Sequence, residues 1–247
     1  MVFIADKTVL VTGANRGIGR ALVEEVLGRG AKRVYAGTRV SLTHADERVV
    51  PLTLDVTDAA QIQKAVDSIE SLDILINNAG VASYDDLTDR EAIERHLDVN
   101  LFGTLSVTQA SLPMLTRSGG AVVNILSVNS LASFPAIPAY SISKAAAFSM
   151  TQSMRALLAG RGVSVHAVLT GIVDTEMSAA VDVPKPSPES VAHGIIDGVE
   201  KDEEDIFPDP MAETLTESWR AGAVKALERQ NAALAEAMLA AAEAATS

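Results

Sequence analysis

The chain begins with a short apolar segment, a glycine-rich turn and a helix-forming segment, in that order. Residues 8–12 are β-branched and apolar, which is typical of a buried parallel strand. The sequence TGANRGIG follows, and residues 20–29 then favour a helix. Glycines in such a turn let the backbone approach a pyrophosphate at the positive N-terminus of the helix. The order of elements therefore predicts a dinucleotide-binding turn, although taken alone the turn also suits a loop without a ligand.

Strand-like and helix-like segments alternate along the rest of the chain. This alternation predicts an α/β fold, a Rossmann-type doubly wound parallel sheet with helices on both faces and a C-terminal helix. We expect a single domain, residues 1–247, with its core at 5–210 and a helical extension from about 211. After the first strand and helix, further strands are expected at 33–38, 49–54, 73–76, 121–126, 163–169 and 206–208, and helices at 59–68, 88–112, 140–159, 189–200 and 215–245.

Charge and composition exclude several classes of function. The net charge of −12 argues against nucleic acid or an anionic membrane as the main partner. The chain has no cysteine, so it has neither disulfides nor thiolate metal sites, and we expect no metal. No apolar run approaches the roughly 20 residues of a membrane-spanning helix, and no signal-like segment precedes the first strand. We expect a cytoplasmic protein.

The residues that end the second predicted strand bear on the choice of dinucleotide. An acidic residue at this place binds the ribose 2′-hydroxyl of NAD, whereas arginine accommodates the 2′-phosphate of NADP. Here the strand ends at Thr38 and Arg39, and Arg16 lies in the glycine turn. Two guanidinium groups and no carboxylate favour NADP (NADPH).

Tyr140 and Lys144 are four residues apart in a segment that we expect to be helical. At this spacing their Cβ atoms lie about 5–6 Å apart on one face. A fixed ammonium favours the phenolate, and this would make tyrosine usable as a general acid or base. Ser127 ends a predicted strand upstream, and Asn100 stands inside a predicted helix, where asparagine is an indifferent helix former.

Together these motifs resemble the short-chain dehydrogenase/reductase family across residues 5–210. The family pattern of TGxxxGxG, DV, NNAG, a helical Asn, Ser, YxxxK and PGxVxT appears in order. The matching residues are Thr12 to Gly19, Asp55 and Val56, Asn77 to Gly80, Asn100, Ser127, Tyr140 and Lys144, and Gly171 to Thr175.

The resemblance implies an NADP(H)-dependent oxidoreductase that interconverts a carbonyl and a secondary alcohol. It makes Tyr140 the general acid or base, with a pKa lowered by Lys144, and makes Ser127 the group that binds the substrate oxygen. It assigns Asn100 a water of a proton relay. It implies that Thr175 and the backbone of Val173 fix the carboxamide. The expected cofactor-binding residues are Gly13, Asn15, Arg16, Gly17, Ile18, Gly19, Thr38, Arg39, Asp55, Val56, Asn78, Ala79, Gly80, Tyr140, Lys144, Gly171, Val173 and Thr175.

Two alternatives stay open. One is an NAD-preferring alcohol dehydrogenase of the same family, which Thr38 and Arg39 oppose. The other is a non-catalytic dinucleotide-binding sensor. The presence of the full set of Asn100, Ser127, Tyr140 and Lys144 opposes it. The chain also departs from the family pattern at Thr170, where proline is usual, and we expect the substitution to loosen the following turn.

The substrate and the assembly are less directly indicated by the sequence. Residues 128–139 and 177–188 should line the substrate pocket, the latter as a mobile loop, and their apolar content favours an apolar ketone or secondary alcohol.

Helices 88–112 and 140–159 carry more apolar residues than one buried face needs, which favours a homodimer or homotetramer. The alternative is that the C-terminal helix, with an apolar stripe that includes Leu239, folds back over them. The surplus residues are Leu97, Leu101, Phe102, Leu105, Phe148, Met150 and Met154.

Overall fold

The computed structural model describes residues 2–246, and the side chains of residues 2–238. Within this range strands and helices alternate up to the last strand, except that no helix separates the second and third strands and two helices separate the fourth and fifth. Three helices follow the last strand. Two short 3₁₀ turns occupy Val128–Ser130 and Glu176–Ser178, and a π-helical turn occupies Asp98–Gly103. The elements are β1 (Thr8–Thr12), α1 (Gly17–Gly28), β2 (Arg33–Thr38), β3 (Val49–Thr53), α2 (Ala59–Asp67), β4 (Ile74–Asn77), α3 (Arg90–Leu97), α4 (Thr104–Ser118), β5 (Ala121–Ser127), α5 (Pro138–Ala159), β6 (Ser164–Thr170), α6 (Pro188–Glu200), β7 (Asp205–Ile206), α7 (Pro210–Glu213), α8 (Thr216–Arg220) and α9 (Ala223–Thr246).

Seven parallel strands form one sheet in the order β3-β2-β1-β4-β5-β6-β7. The order reverses direction next to β1, and in doubly wound folds this switch point is where ligands bind. The predicted α/β fold with a Rossmann-type sheet is confirmed. All seven strands fall within the expected core of residues 5–210.

Alternate side chains of the strands serve two separate cores. Val9 and Val11 pack with helices α1 and α6 on one face of the sheet, whereas Leu10 packs with α2 and α4 on the other. The buried residues of β1 thus alternate between the two cores, because successive side chains of a strand point to opposite faces. The β-branched runs that predicted the strands are explained by this burial on both faces.

The expected helix over 88–112 is interrupted, which corrects the sequence prediction. Helix α3 starts at Arg90, capped by the side chain of Asp89, and α4 runs on to Ser118. Between them, the turn Asp98–Gly103 has π-helical geometry. Gly103 packs there against Val56, and a Cβ atom on this glycine would lie 2.7 Å from Cγ2 of Val56. A π-turn inside a helix is frequent at functional sites.

The expected single helix over 215–245 is also wrong, because two helices, α8 and α9, replace it. Tertiary contacts outweigh the helix propensity of this segment. Trp219 of α8 packs on Phe148 of α5 at 5.6 Å between ring centroids, and its indole Nε1 donates to Asp205. Lys225, at the start of α9, donates to the same carboxylate.

Asp205 follows a run of four charged residues at 201–204 and is buried. Its carboxylate forms ion pairs with Lys225 and Arg155, each with an N–O distance of 2.7 Å. Glu228 of α9 pairs with both cations. Two cations and two carboxylates therefore fasten the start of α9 to α5 and β7, and burial of these charges requires such pairing.

The apolar surplus expected at a subunit interface is partly covered within the chain. Phe148 is buried against Trp219, so its side chain is unavailable to a partner, and Leu101 is partly buried beside Phe148. Phe102, Ile142 and Leu157 stay exposed on the π-turn and α5. Assembly as a homodimer or homotetramer stays a prediction that rests on this remaining face. The side chain of Leu239 lies outside the described residues.

A membrane-spanning segment was not expected. Among the helices within residues 2–246, none is both long enough and apolar enough to cross a membrane.

Candidate active site

Most of the site residues predicted from sequence lie at, or directly follow, the carboxyl ends of the parallel strands. Strand β1 leads into the glycine turn, β2 into Arg39, β4 into Asn78, β5 ends at Ser127, and β6 leads into Gly171. Because the strands are parallel, these positions share one edge of the sheet. Helix α5 adds Tyr140 and Lys144, and the π-turn adds Asn100.

The glycine turn is locked onto the segment that follows β4. Oγ1 of Thr12 accepts hydrogen bonds from the amides of Asn78 and Ala79, both at 3.0 Å. Gly13 has φ +65°, and a Cβ atom on it would lie 2.9 Å from Cα of Ala79. A Cβ atom on Gly19 would lie 2.2 Å from the carbonyl oxygen of Gly13. Only glycine fits these two positions, so the turn needs them before any ligand is considered.

The N-terminus of α1 and two arginines suit a phosphorylated ligand. Arg16 is the N-cap residue, yet its side chain makes no capping bond, and Gly17, at φ +51°, faces Thr175. Arg16 and Arg39 are exposed, and neither forms an ion pair or hydrogen bond through its side chain with the described residues. Unpaired guanidinium groups in a chain of net charge −12 are available to anionic oxygens.

Three predicted cofactor residues, one at the end of β2 and two after β3, form contacts with other residues of the chain. Oγ1 of Thr38 accepts from the amide of Val40 at 3.3 Å. Asp55 accepts from the amide and the hydroxyl of Thr57, at 2.9 and 2.7 Å. Val56 packs against the π-turn. These residues shape the rim of the site, and their expected contacts with a cofactor stay predictions.

The side chain of Asn100 joins the segment after β4 to helix α5. Its Oδ1 accepts from the amide of Val81 at 2.9 Å, and its Nδ2 donates to the carbonyl of Val81 at 3.0 Å and to Oγ of Ser143 at 2.9 Å. A Cβ atom on Gly80 would lie 3.2 Å from Oδ1 of Asn100 and 3.6 Å from Nζ of Lys144. The amide side chain therefore positions its neighbours, and the expected water relay stays a prediction.

Lys144 is buried beside Tyr140. Its Nζ donates to the carbonyl of Ile125 at 2.8 Å and lies 5.7 Å from the centroid of the Tyr140 ring. Burial lowers the pKa of Lys144 to about 8, because the surroundings disfavour the charged form. Loss of water thus outweighs the hydrogen bond to the carbonyl.

Tyr140 does not show the lowered pKa that we expected Lys144 to produce. Desolvation by burial raises the pKa of the phenol to about 12, and a hydrogen bond with Ser127 acts in the opposite direction. Both groups of the pair are desolvated, and desolvation outweighs the Ser127 bond at the phenol. Tyr140 is therefore a protonated phenol at neutral pH.

Ser127 lies at the junction of β5 and the first 3₁₀ turn. It is buried, and its Oγ accepts from the amide of Asn129 at 3.1 Å. The hydroxyl hydrogen is not needed for that bond, so it can be donated to the Tyr140 oxygen. The hydroxyl groups of Ser127 and Tyr140 thus lie together, and their expected roles toward a substrate stay predictions.

The turn after β6 is firmly held, which corrects the expectation that Thr170 loosens it. Oγ1 of Thr170 donates to the carbonyl of Leu126 at 3.1 Å, and the amide of Gly171 donates to Asp209 at 2.7 Å. Val173 is buried in the core, and its carbonyl accepts from Oγ of Ser178. These two bonds hold the turn although Thr170 stands in place of the usual proline.

Sequence reasoning missed three residues around the site. Asp209 is buried and holds Gly171, whereas Met211 packs at the same glycine and is half exposed. His96 is buried and contacts the Tyr140 ring. His96 precedes Asn100 by four residues, and this helical spacing was a usable signal; the sequence has no comparable signal for Asp209 or Met211.

The loop over 177–188, expected to be mobile, is fastened inside the chain. Nζ of Lys185 donates to the carbonyls of Ser178 and Val181, both at 3.1 Å. The amide of Asp174 donates to the carbonyl of Pro186 at 3.0 Å. Hydrogen bonds within the loop and to the residue before it therefore hold its conformation.

Comparisons with known proteins agree with this arrangement. The sequence profile of the short chain dehydrogenase family matches residues 7–185. An uncharacterized oxidoreductase of Staphylococcus aureus strain USA300 is 34% identical over 214 residues, covering 79% of this chain and 92% of the relative. A short chain dehydrogenase of Burkholderia cenocepacia, solved in complex with NADP, has a TM-score of 0.85 and 36% identity, covering 93% of this chain and 98% of that one. ElxO with NADP bound has a TM-score of 0.75 and 26% identity, covering 85% and 99%.

The low pKa of Lys144 gives a prediction for the protein without added nucleotide. The Lys144 ammonium should lose its proton as the pH rises through about 8, well below the ordinary lysine value of 10.5. An NMR titration of protein with isotope-labelled lysine ε-carbons measures this directly. Lys144→Met identifies the resonance by removing it. A Lys144 resonance that stays in its charged form beyond pH 10 would contradict the burial argument.

Proposed function

The chain belongs to the short-chain dehydrogenase family, and we propose that it is an NADP(H)-dependent oxidoreductase that interconverts a carbonyl and a secondary alcohol. The observation that carries the proposal is the convergence of Asn100, Ser127, Tyr140 and Lys144 at the carboxyl edge of the sheet. Burial raises the pKa of the Tyr140 phenol to about 12 and lowers the pKa of the Lys144 ammonium to about 8. Groups at functional sites often have pKa values shifted in this way.

The proposed cofactor is NADP(H). Arg16 and Arg39 supply two exposed guanidinium groups beside the glycine turn, and no acidic residue ends β2. The Burkholderia protein and ElxO, to which this chain is similar, were both solved with NADP. The pyrophosphate would lie at the N-terminus of α1, with the 2′-phosphate near the arginines. When bound, NADPH supplies the hydride that reduces the carbonyl carbon.

Tyr140 supplies the proton in the direction of reduction. Its raised pKa keeps the phenol protonated at neutral pH, so the hydroxyl hydrogen can pass to the carbonyl oxygen as negative charge develops there. The Ser127 hydroxyl, whose hydrogen the Asn129 bond does not use, would donate to the same oxygen when the substrate is bound and so stabilise it. In the direction of oxidation, the phenolate of Tyr140 takes the proton from the alcohol.

Lys144 and Asn100 support the proton transfer. Lys144 holds its ammonium beside the Tyr140 ring, and a positive charge there favours the phenolate that forms when the proton leaves. Asn100 fixes the segment that passes next to Lys144, since it binds both backbone groups of Val81. We assign Lys144 also to the nicotinamide ribose, on the strength of the family resemblance.

The proposed substrate is an apolar ketone or secondary alcohol. Phe134 and Met177, in the two segments that should line the pocket, are half exposed. Met211 joins them, because it packs against Gly171 in the turn after β6 and is also half exposed. Exposed apolar side chains beside a polar reaction centre are typical of small-molecule sites.

Tyr140→Phe should abolish most turnover while NADPH still binds, because only the transferable proton is lost. We would measure the rate of NADPH oxidation with acetophenone, cyclohexanone and menthone, and NADPH binding by nicotinamide fluorescence. Tyr35→Phe is the matched control, since Tyr35 lies in the core on β2 and its variant should keep full activity. Turnover by Tyr140→Phe that equals the control would refute the assigned role.

Arg39→Asp should reverse the preference for NADPH over NADH, because a carboxylate repels a 2′-phosphate and accepts a bond from a 2′-hydroxyl. The measurement is kcat/KM for both cofactors with one ketone. Arg33→Asp is the control, since Arg33 is exposed at the opposite end of the same strand and its change should leave the preference intact. A parent protein that already prefers NADH would show the cofactor assignment to be wrong.

A further inference from the structure

His96 is buried on α3 and has only one tautomer that satisfies its surroundings. His96 is 2% exposed, and Nδ1 of its ring lies 2.6 Å from the carbonyl oxygen of Ala92. A carbonyl only accepts, so Nδ1 carries the proton. Nε2 then carries a lone pair, and it accepts from the amide of Ser83 at 3.2 Å. Both ring nitrogens are therefore engaged by the backbone.

The same ring contacts the proposed proton donor. The His96 and Tyr140 centroids lie 6.5 Å apart with the planes at 75°, an edge-on arrangement that aromatic pairs favour. Among the described side chains, His96 provides the aromatic contact of Tyr140. The ring thus limits how far the phenol can tilt toward the segment after β4.

His96 and Asn100 act on the same short segment. Asn100 binds the amide and the carbonyl of Val81, and His96 binds the amide of Ser83 two residues later. The two side chains are one helical turn apart, so they face the segment from one side of the helix. Residues 81–83 are therefore attached at two points, immediately after the glycine that borders Lys144.

We propose that His96 is a positioning residue, which holds residues 81–83 through Ser83 and sets the orientation of the Tyr140 ring for proton transfer. The proposal rests on the proposed function for its effect on turnover. His96 takes no part in the transfer itself, because its two nitrogens are bound to Ala92 and Ser83. A displaced phenol lowers the rate since proton transfer needs hydrogen-bond reach to the substrate oxygen.

Three substitutions separate the two contacts. His96→Gln keeps an acceptor for the Ser83 amide and loses the ring, whereas His96→Phe keeps the ring and loses the acceptor. His96→Asn keeps only the donor to Ala92. His166→Asn is the matched control, because His166 is equally buried, on β6, and its Nδ1 bonds to the carbonyl of Glu203 rather than to the site.

With NADPH and acetophenone, His96→Asn should lower kcat about tenfold or more, since misplacement of reacting groups by a fraction of an ångström is costly. The KM for NADPH should stay within about twofold of the parent, because the nucleotide contacts are untouched. His96→Gln and His96→Phe should each recover part of the lost kcat. The control should lower the melting temperature without lowering kcat.

Hydrogen exchange gives a readout that does not depend on turnover. The Ser83 amide should exchange faster in His96→Asn and His96→Phe than in the parent, and His96→Gln should restore its protection. The Val81 amide, held by Asn100, is the internal reference. If the parent reduces no ketone, the proposed function fails, and Ser83 exchange still decides whether His96 holds the segment. Unchanged Ser83 exchange, or a kcat loss equal to that of His166→Asn, would overturn the inference.

Discussion

The hydrogen bonds of the Asn100 side chain are the interaction on which the site depends. Two of them bind the backbone of Val81, and the third binds Ser143, whose hydroxyl donates in turn to the carbonyl of Tyr140 at 2.7 Å. The π-turn, the segment after β4 and the first turns of α5 are thereby joined. Leaving such buried partners unpaired costs about 1–3 kcal/mol for each group. The widened turn is retained because it carries the amide that makes these bonds.

A second buried polar network also joins helix α5 to the sheet. Nδ2 of Asn77 donates to Oγ1 of Thr108 and to Oδ1 of Asn124, and Nδ2 of Asn124 donates to Oγ1 of Thr151. These contacts join α4, β4, β5 and α5 across one face of the sheet. Oδ1 of Asn77 has no hydrogen-bond partner among the described residues, whereas the three bonds named above tie the four elements together. The helix that bears Tyr140 and Lys144 is therefore held at two levels, and the reacting groups are attached to rigid elements.

The sequence predicted the sheet well because β-branched runs buried on both faces are a local signal. The residues predicted for the site lie near one another because those strands end at one edge of the sheet. It failed where distant contacts decide. The π-turn forms because Asn100 bonds to a segment 19 residues away, and no local pattern contains that partner. The break between α8 and α9 depends on the contact of Trp219 with Phe148, and the burial of Asp205 depends on Lys225, two contacts that only the folded chain creates. The pKa of Tyr140 was predicted in the wrong direction because the spacing to Lys144 is visible in the sequence, whereas the desolvation of both groups is not.

The central claim is that this edge of the sheet directs hydride from a nicotinamide to a carbonyl carbon. The most direct measurement follows the label: the protein is incubated with acetophenone and NADPH that carries deuterium on the transferable position of the nicotinamide, and the product is examined by mass spectrometry. The account predicts an alcohol with one deuterium on its carbinol carbon, of a single configuration, because the cofactor face and the substrate oxygen are both fixed by the site. An alcohol without deuterium would contradict it, since the reduction would then proceed without hydride transfer from the nicotinamide.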